Sequence, residues 1–246
     1  MKVCIDPGHN NSGADTGAQG NGLHEELITL DIALRLKPLL KYNGIEVVMT
    51  RDSDFVKGPH GSLNESLQSR VDIANNAKAD LFVSIHINAF ANPGAYGQQV
   101  YIFGKGGKAE VCANKVLAQL ISASGFYNRG VAVDNFEVLR ETNMPAILTE
   151  NGFITNPSDA VKLALPEFRQ TLAVAHCKGI CDYFGMSYRE QLQTPPTPPP
   201  VPPVTQLDPD VNLVVWVPTS KAQGAIKGIN SLGYYVEQFP LKLRRD

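Results

Sequence analysis

Two hydrophobic periods alternate along the first 186 residues of the chain. Short apolar runs read as strands at 2–5, 45–49, 81–87, 99–103, 131–139 and 146–150. Between them, apolar residues recur every three or four positions, which predicts helices over 25–42, 64–77, 107–124 and 166–184. In the first helix Leu27, Leu30, Ala33 and Leu34 mark the expected buried face, and in the second Leu67, Arg70, Val71 and Ala74 share one. Asn43-Gly44 suits a left-handed helix stop, and Pro166 suits a first helical turn. The Gly- and Asn-rich stretch 8–22 reads as a loop. Strands interleaved with helices predict an α/β domain, a mostly parallel mixed sheet covered by helices on both faces.

The pattern stops where proline takes over. Residues 187–206, with Thr194-Pro195-Pro196-Thr197-Pro198-Pro199-Pro200-Val201-Pro202-Pro203 at their centre, read as an extended polyproline II linker. Beyond it, 207–246 shows a strand at 211–217, a helix at 221–231 and a strand at 234–239. One βαβ unit of that size is marginal alone. The organisation expected is thus a domain at 1–186, a linker at 187–206 and a small tail at 207–246.

Composition narrows the function classes. A net charge of −2 argues against a nucleic-acid binder. No apolar run approaches the length of a membrane-spanning helix. Met1-Lys2-Val3-Cys4-Ile5 passes straight into Asp6-Pro7-Gly8, too short an apolar run for a signal peptide. The expectation is synthesis in the cytoplasm, or a leader already removed. Cys4, Cys112, Cys177 and Cys181 sit among apolar neighbours without a CxxC spacing, so buried free thiols are expected.

The chemistry gathers at strand ends. His9, His86 and Glu150 each follow the C-terminal end of an apolar run, where parallel sheets bind ligands. Glu25 and Glu26 open the first helix, where the macrodipole alone favours acids, and spacing does not choose between them. Two imidazoles and a carboxylate can hold zinc with one position open, and a further carboxylate beside that position permits amide hydrolysis. A carboxylate ending a buried strand is costly unless paired or bound to an ion, which favours such a role for Glu150. Arg140 could grip a substrate carboxylate bidentately or pair with Glu141 or Asp134. Arg70, Asn75 and Asp80 are expected to tie the second helix to the sheet. His24 and His60 read as solvated, and His176 with Cys181 lacks the further ligands a metal site needs. The chain has no G-x-S-x-G elbow, P-loop or H-E-x-x-H.

Taken in order, these segments resemble the zinc-dependent N-acetylmuramoyl-L-alanine amidases of the amidase-3 type, which cleave peptidoglycan. The likeness is carried by Ile5-Asp6-Pro7-Gly8-His9, by Glu25 opening a helix, and by Val48-Met49-Thr50-Arg51. It continues through Ser69-Arg70-Val71-Asp72-Ile73-Ala74-Asn75 and Ala79–Asn88, and ends with Val138–Thr142, Met144-Pro145-Ala146 and Glu150–Asn156. Residues 136–163 look most like sporulation amidases and certain phage endolysins. The resemblance implies one zinc held by His9, Glu25 and His86, with Glu150 as catalytic acid/base, and Asn88 and Arg140 as candidate substrate contacts. Peptidoglycan is then the partner, reached after release from the cell. Two departures stand out: Asn10 and Asn11 replace glycines common in relatives, and Thr29 replaces a common Asn. Neither removes a ligand. The tail is similar to half of a small glycan-holding repeat of septal and spore-wall proteins, which implies wall binding, with pairing of two copies as a route to a dimer. A zinc carboxypeptidase cutting stem peptides, and a wall-binding module without activity, are the competing readings.

Overall fold

The computed structural model describes residues 1–190; the proline-rich run and the expected βαβ tail, with its wall-binding and dimer assignments, lie outside the described residues. Six strands form one sheet: β1 (Lys2–Pro7), β4 (Glu46–Met49), β5 (Leu81–Asn88), β6 (Gln98–Ile102), β7 (Asn128–Val133) and β8 (Ala146–Phe153). Their spatial order is β4-β1-β5-β8-β6-β7. Every neighbouring pair is parallel except β6 with β8, which is antiparallel. The mixed, mostly parallel sheet read from the sequence is therefore present.

Helices cover both faces. α1 (Glu25–Tyr42), α3 (Lys108–Ser124) and α6 (Pro166–Tyr183) pack together on one side. α2 (Leu63–Asn76) and the short α4 (Glu137–Arg140) lie on the other. Strand residues alternate between the two cores: Val3 and Ile5 join the α1/α3/α6 cluster, whereas Cys4 joins the cluster with Val71 and Ala74. Burial on both faces is why β1 and β5 read as unbroken apolar runs. The four cysteines are free and buried, as expected. Past α6 the chain stays docked through Tyr188, packed against the core, and Arg189, whose amide donates to Asn43 Oδ1.

Four details differ from the sequence reading. In α1 the buried stripe is Ile28, Ile32, Ala33, Leu36, Leu39 and Leu40, while Leu27 and Leu34 are 48% and 41% exposed. The helix carries two overlapping apolar stripes, and packing against the sheet selects the one a residue further on. The strand expected at 131–139 ends at Val133, and α4 follows. Asn135 N donates to Asp134 Oδ1, which turns the chain, and the consecutive Val138 and Leu139 are both buried, as a helical turn permits and a strand facing one core does not. Inside the expected loop 8–22 and just after it lies a hairpin, β2 (Gln19–Gly20) with β3 (Leu23–His24), and α5 (Pro157–Leu163) was not anticipated. Asn156 caps α5 by accepting from Ser158 N and Asp159 N ahead of Pro157, a start signal readable afterwards.

His176 lies wholly inside the α1/α3/α6 side, with Nδ1 at 2.8 Å from Leu172 O and Nε2 at 3.0 Å from Thr149 Oγ1. Burial outweighs the Leu172 hydrogen bond and pulls its pKa down to about 4. A base whose folded pKa is depressed binds fewer protons than its unfolded counterpart, so its share of stability is complete above pH ~6.5 and lost as pH falls toward 4. The loss across that window is roughly 3 kcal/mol at about 1.4 kcal/mol per unit. Urea unfolding of chelator-treated protein at several pH values checks this: His176→Gln should flatten the decline between pH 6.5 and 4, and an identical decline in both proteins would refute it.

Candidate metal centre and active site

The ends of β1, β5 and β8 meet the first turn of α1. His9 follows β1 in the left-handed backbone region, at φ 64°, a conformation that non-glycine residues adopt only when their surroundings enforce it. Two buried arginines supply that enforcement. Pro7 O accepts from Arg51 Nε at 3.0 Å and from Arg70 Nη1 at 2.8 Å, and His9 O accepts from Arg70 Nη2 at 2.8 Å. Gly8 O accepts from Arg51 Nη2 and from Thr29 Oγ1, both at 2.9 Å. Arg51 and Arg70 are each 1% exposed. Crowding inside the protein, through burial first and then its neighbour Arg70, draws the Arg51 pKa down to about 10.

Glu25 stands between the imidazoles. Its Oε1 lies 3.3 Å from His9 Nε2 and 3.1 Å from His86 Nδ1, and accepts from Ile87 N at 3.0 Å. Its Oε2 accepts from Ala18 N at 2.9 Å. The His9 and His86 rings meet edge to face with centroids 4.8 Å apart. Burial opposes the Glu25 charge, but hydrogen bonds and charge from His86 and His9 win and hold its carboxyl far below the usual range. Burial likewise opposes charge on His9, yet its bonds to Asp15 and Glu25 raise the imidazole to about 10.

These three side chains fit a divalent cation. One donor atom from each of His9, Glu25 and His86 lies within 4.8 Å of the others, and two imidazole nitrogens with one carboxylate oxygen form a hydrolytic zinc-type donor set. Gly8 makes room for them: a Cβ there would sit 2.3 Å from His86 Cε1. Glu26 does not join the group. It is buried, with Oε1 3.2 Å from His24 Nδ1.

Glu150 is directly opposite His86 in the β5–β8 register. Its Oε2 is buried without a hydrogen-bond partner among the described residues. Burial, reinforced by the nearby Glu25 charge and only partly offset by His9, pushes its pKa well above the carboxylate range. Such a group is poised to hold a proton or to release it when the local charge changes. A cavity of about 310 Å³ opens over these residues, with Asn88 in its lining and Leu63, Leu67, Phe136 and Val138 as an apolar wall.

Other sequence candidates lie elsewhere. Arg140 pairs with Glu141 at 2.7 Å and donates to Asn135 on the surface; it is not part of the cavity lining. His60 stacks on Phe55. Of the residues expected to tie α2 to the sheet, Arg70 does so through Asp6 on β1, while Asn75 instead bonds Glu141 O and Asn143 N beyond α4. Asp80 accepts from Lys2 N. Asp6 and Arg51 stand in the sequence reading only as parts of the likeness, with no role assigned, and Asp15 is not singled out there. An arginine on the apolar face of α2 was the available signal, because a buried guanidinium requires buried acids.

A mostly parallel α/β sheet that gathers a possible His-Glu-His metal group and a buried carboxylate toward the C-terminal ends of its strands is an arrangement that suits a metal-dependent hydrolase. Residues 3–182 match the family described as N-acetylmuramoyl-L-alanine amidase. The sporulation-specific N-acetylmuramoyl-L-alanine amidase of Bacillus subtilis is 42% identical over 189 residues, 76% of this chain and 69% of that protein. The endolysin of Bacillus phage SPP1 is 35% identical over 201 residues, 78% of this chain and 69% of its own. Among solved structures, the catalytic domain of the amidase CwlV from Bacillus (Paenibacillus) polymyxa var. colistinus superposes with a TM-score of 0.68 at 34% identity, over 76% of this chain and 99% of that one. The chain belongs to the N-acetylmuramoyl-L-alanine amidase family, enzymes that hydrolyse the amide linking glycan to peptide in peptidoglycan. No helix among the described residues is long and apolar enough to cross a membrane.

Proposed function

We propose that His9, Glu25 and His86 hold a zinc ion, and that Glu150 carries the protons in hydrolysis of the bond between N-acetylmuramic acid and L-alanine. The observation that carries this reading is the convergence of three ligand-type atoms beside a buried carboxylate oxygen that has no hydrogen-bond partner among the described residues. Bound there, zinc supplies a Lewis acid that polarises the amide carbonyl and acidifies water.

The protein's own part is positioning and proton transfer. Glu150 removes a proton from the attacking water as the water oxygen adds to the amide carbon, then returns it to the amine nitrogen as the C–N bond breaks. Burial raises the pKa of this carboxyl, which favours its holding the transferred proton between the two halves of the reaction. The cavity that would receive the substrate offers an apolar wall of Leu63, Leu67 and Phe136, and Asn88 adds an amide to its lining for hydrogen bonding.

Digestion of purified peptidoglycan, with and without chelator, tests the assignment. Intact stem peptides bearing a free L-alanine amine should appear together with peptide-free glycan. Chelator should abolish both, and added zinc should restore them. Shortened stems still attached to glycan would instead identify a carboxypeptidase, and restoration by magnesium but not zinc would overturn the choice of metal.

A further inference from the structure

Asp15 belongs to none of the strands or helices, and it is a charged side chain only 5% exposed. Its Oδ1 lies 3.0 Å from His9 Nδ1, on the opposite side of the ring from the nitrogen that faces Glu25. Its Oδ2 accepts from Ser66 Oγ at 2.6 Å and from Arg70 Nη2 at 3.1 Å. Each of those donors is itself fixed: Asn10 Nδ2 donates to Ser66 Oγ at 3.1 Å, and Arg70 Nη1 donates to Asp6 at 2.7 Å. Asp6 in turn accepts from Thr50 Oγ1 and Ser84 Oγ. A run of buried hydrogen bonds therefore leads from α2 to the back of one imidazole. The backbone of the same residue is held in its left-handed conformation by the same Arg70.

We infer that Asp15 is a positioning residue for the metal centre: it accepts the Nδ1 proton of His9, which fixes the tautomer with a free Nε2 lone pair turned toward Glu25 and His86. A neutral imidazole has one donor nitrogen and one acceptor nitrogen, so the partner on one side determines what the other can do. A carboxylate behind a ligating imidazole also raises its basicity and locks its ring plane. Asp15 is suited to this because Ser66 Oγ and Arg70 Nη2 both donate to its Oδ2, which fixes the carboxylate and leaves its Oδ1, an acceptor only, facing His9 Nδ1. An asparagine would present a second donor to one of them. The inference rests on the reading of His9 as a metal ligand.

Zinc affinity, measured by competition with a chromogenic chelator, separates positioning of His9 from a merely structural role for Asp15 when combined with nitrogen-15 NMR of the zinc-loaded protein. In the parent protein His9 should carry its proton on Nδ1, with a downfield hydrogen-bonded resonance. Asp15→Asn should weaken zinc binding roughly 10- to 100-fold and move that resonance upfield. Ser66→Ala, which frees one side of Asp15 while leaving the carboxylate in place, should produce a smaller loss in the same direction. A His9 proton found on Nε2 of the unmodified protein would overturn the inference whatever the variants do. So would parent-like zinc affinity in Asp15→Asn, or weakened affinity with the Nδ1 resonance unmoved. If His9→Ala kept parent affinity, the ligand assignment would fall and the role of Asp15 with it.

Discussion

Glu150→Gln should lose about 10²- to 10⁴-fold in the rate of stem-peptide release, the range that removal of a general acid/base commonly produces. Metal content should stay at the parent level, because Glu150 is not among the three clustered donors. The substitution preserves shape and removes the ability to shuttle a proton. Its buried Oε2 has no hydrogen-bond partner to lose among the described residues, so stability should change little relative to activity. Peptide release followed by chromatography, beside metal analysis of the same sample, distinguishes the outcomes. Retained activity would remove Glu150 from the mechanism, whereas parallel loss of metal would place it among the ligands.

Arg70→Met should produce the largest loss of stability, about 3–5 kcal/mol, by leaving two buried carboxylates without their cation. Arg70 pairs with Asp6 at 2.7 Å and Asp15 at 3.1 Å, all three side chains being at most 4% exposed. Burial by itself would raise the Asp6 pKa, but Arg70, Thr50 and Ser84 together hold it below the usual range. Without Arg70 that balance reverses and Asp6 should take up a proton. Thermal unfolding should shift down by roughly 10 °C or more for a domain of this length. A depressed folded pKa means stability that is present above the unfolded value, near pH 4, and lost as pH falls below it. The deficit of the variant should accordingly shrink when parent and variant are compared at strongly acid pH. A Tm within a degree or two of the parent at pH 7 would show that the pairings contribute little.

How much of this was legible in the sequence depended on what each residue's neighbours had to do. His9, His86 and Glu150 could be read because a polar residue that ends an apolar run in an α/β pattern lies at the ligand-binding edge of a sheet. Glu25 could not be separated from Glu26, and the reason is the same one that misplaced the buried face of α1. Residues 25, 28, 29 and 32 lie on one face of a helix, so the phase that buries Ile28 and Ile32 also aims Glu25 at the strand ends. The sequence offered Leu27, Leu30 and Leu34 as an equally regular stripe, and only contact with the sheet decided between them. Val131–Leu139 went wrong because alternation over a few residues does not separate a strand from a strand followed by one helical turn. The buried polar network was invisible for a further reason: Asp15 and Ser66 are ordinary loop and helix residues until the fold brings them together. Asn10, one of the departures from common relatives, turns out to serve that network, donating to Ser66 and accepting from Val56 N.

The order of the strands has a consequence for synthesis. Among the described residues β8 is the last strand in sequence yet lies between β5 and β6, so there it alone joins β6 and β7 to the rest of the sheet. A ribosome-bound chain that has exposed His9, Glu25 and His86 still lacks both the strand that closes the sheet and the carboxylate carried on it. The three clustered donors are therefore synthesised before the strand that joins the two parts of the sheet, and the sheet can be complete only once residues 146–153 have been added.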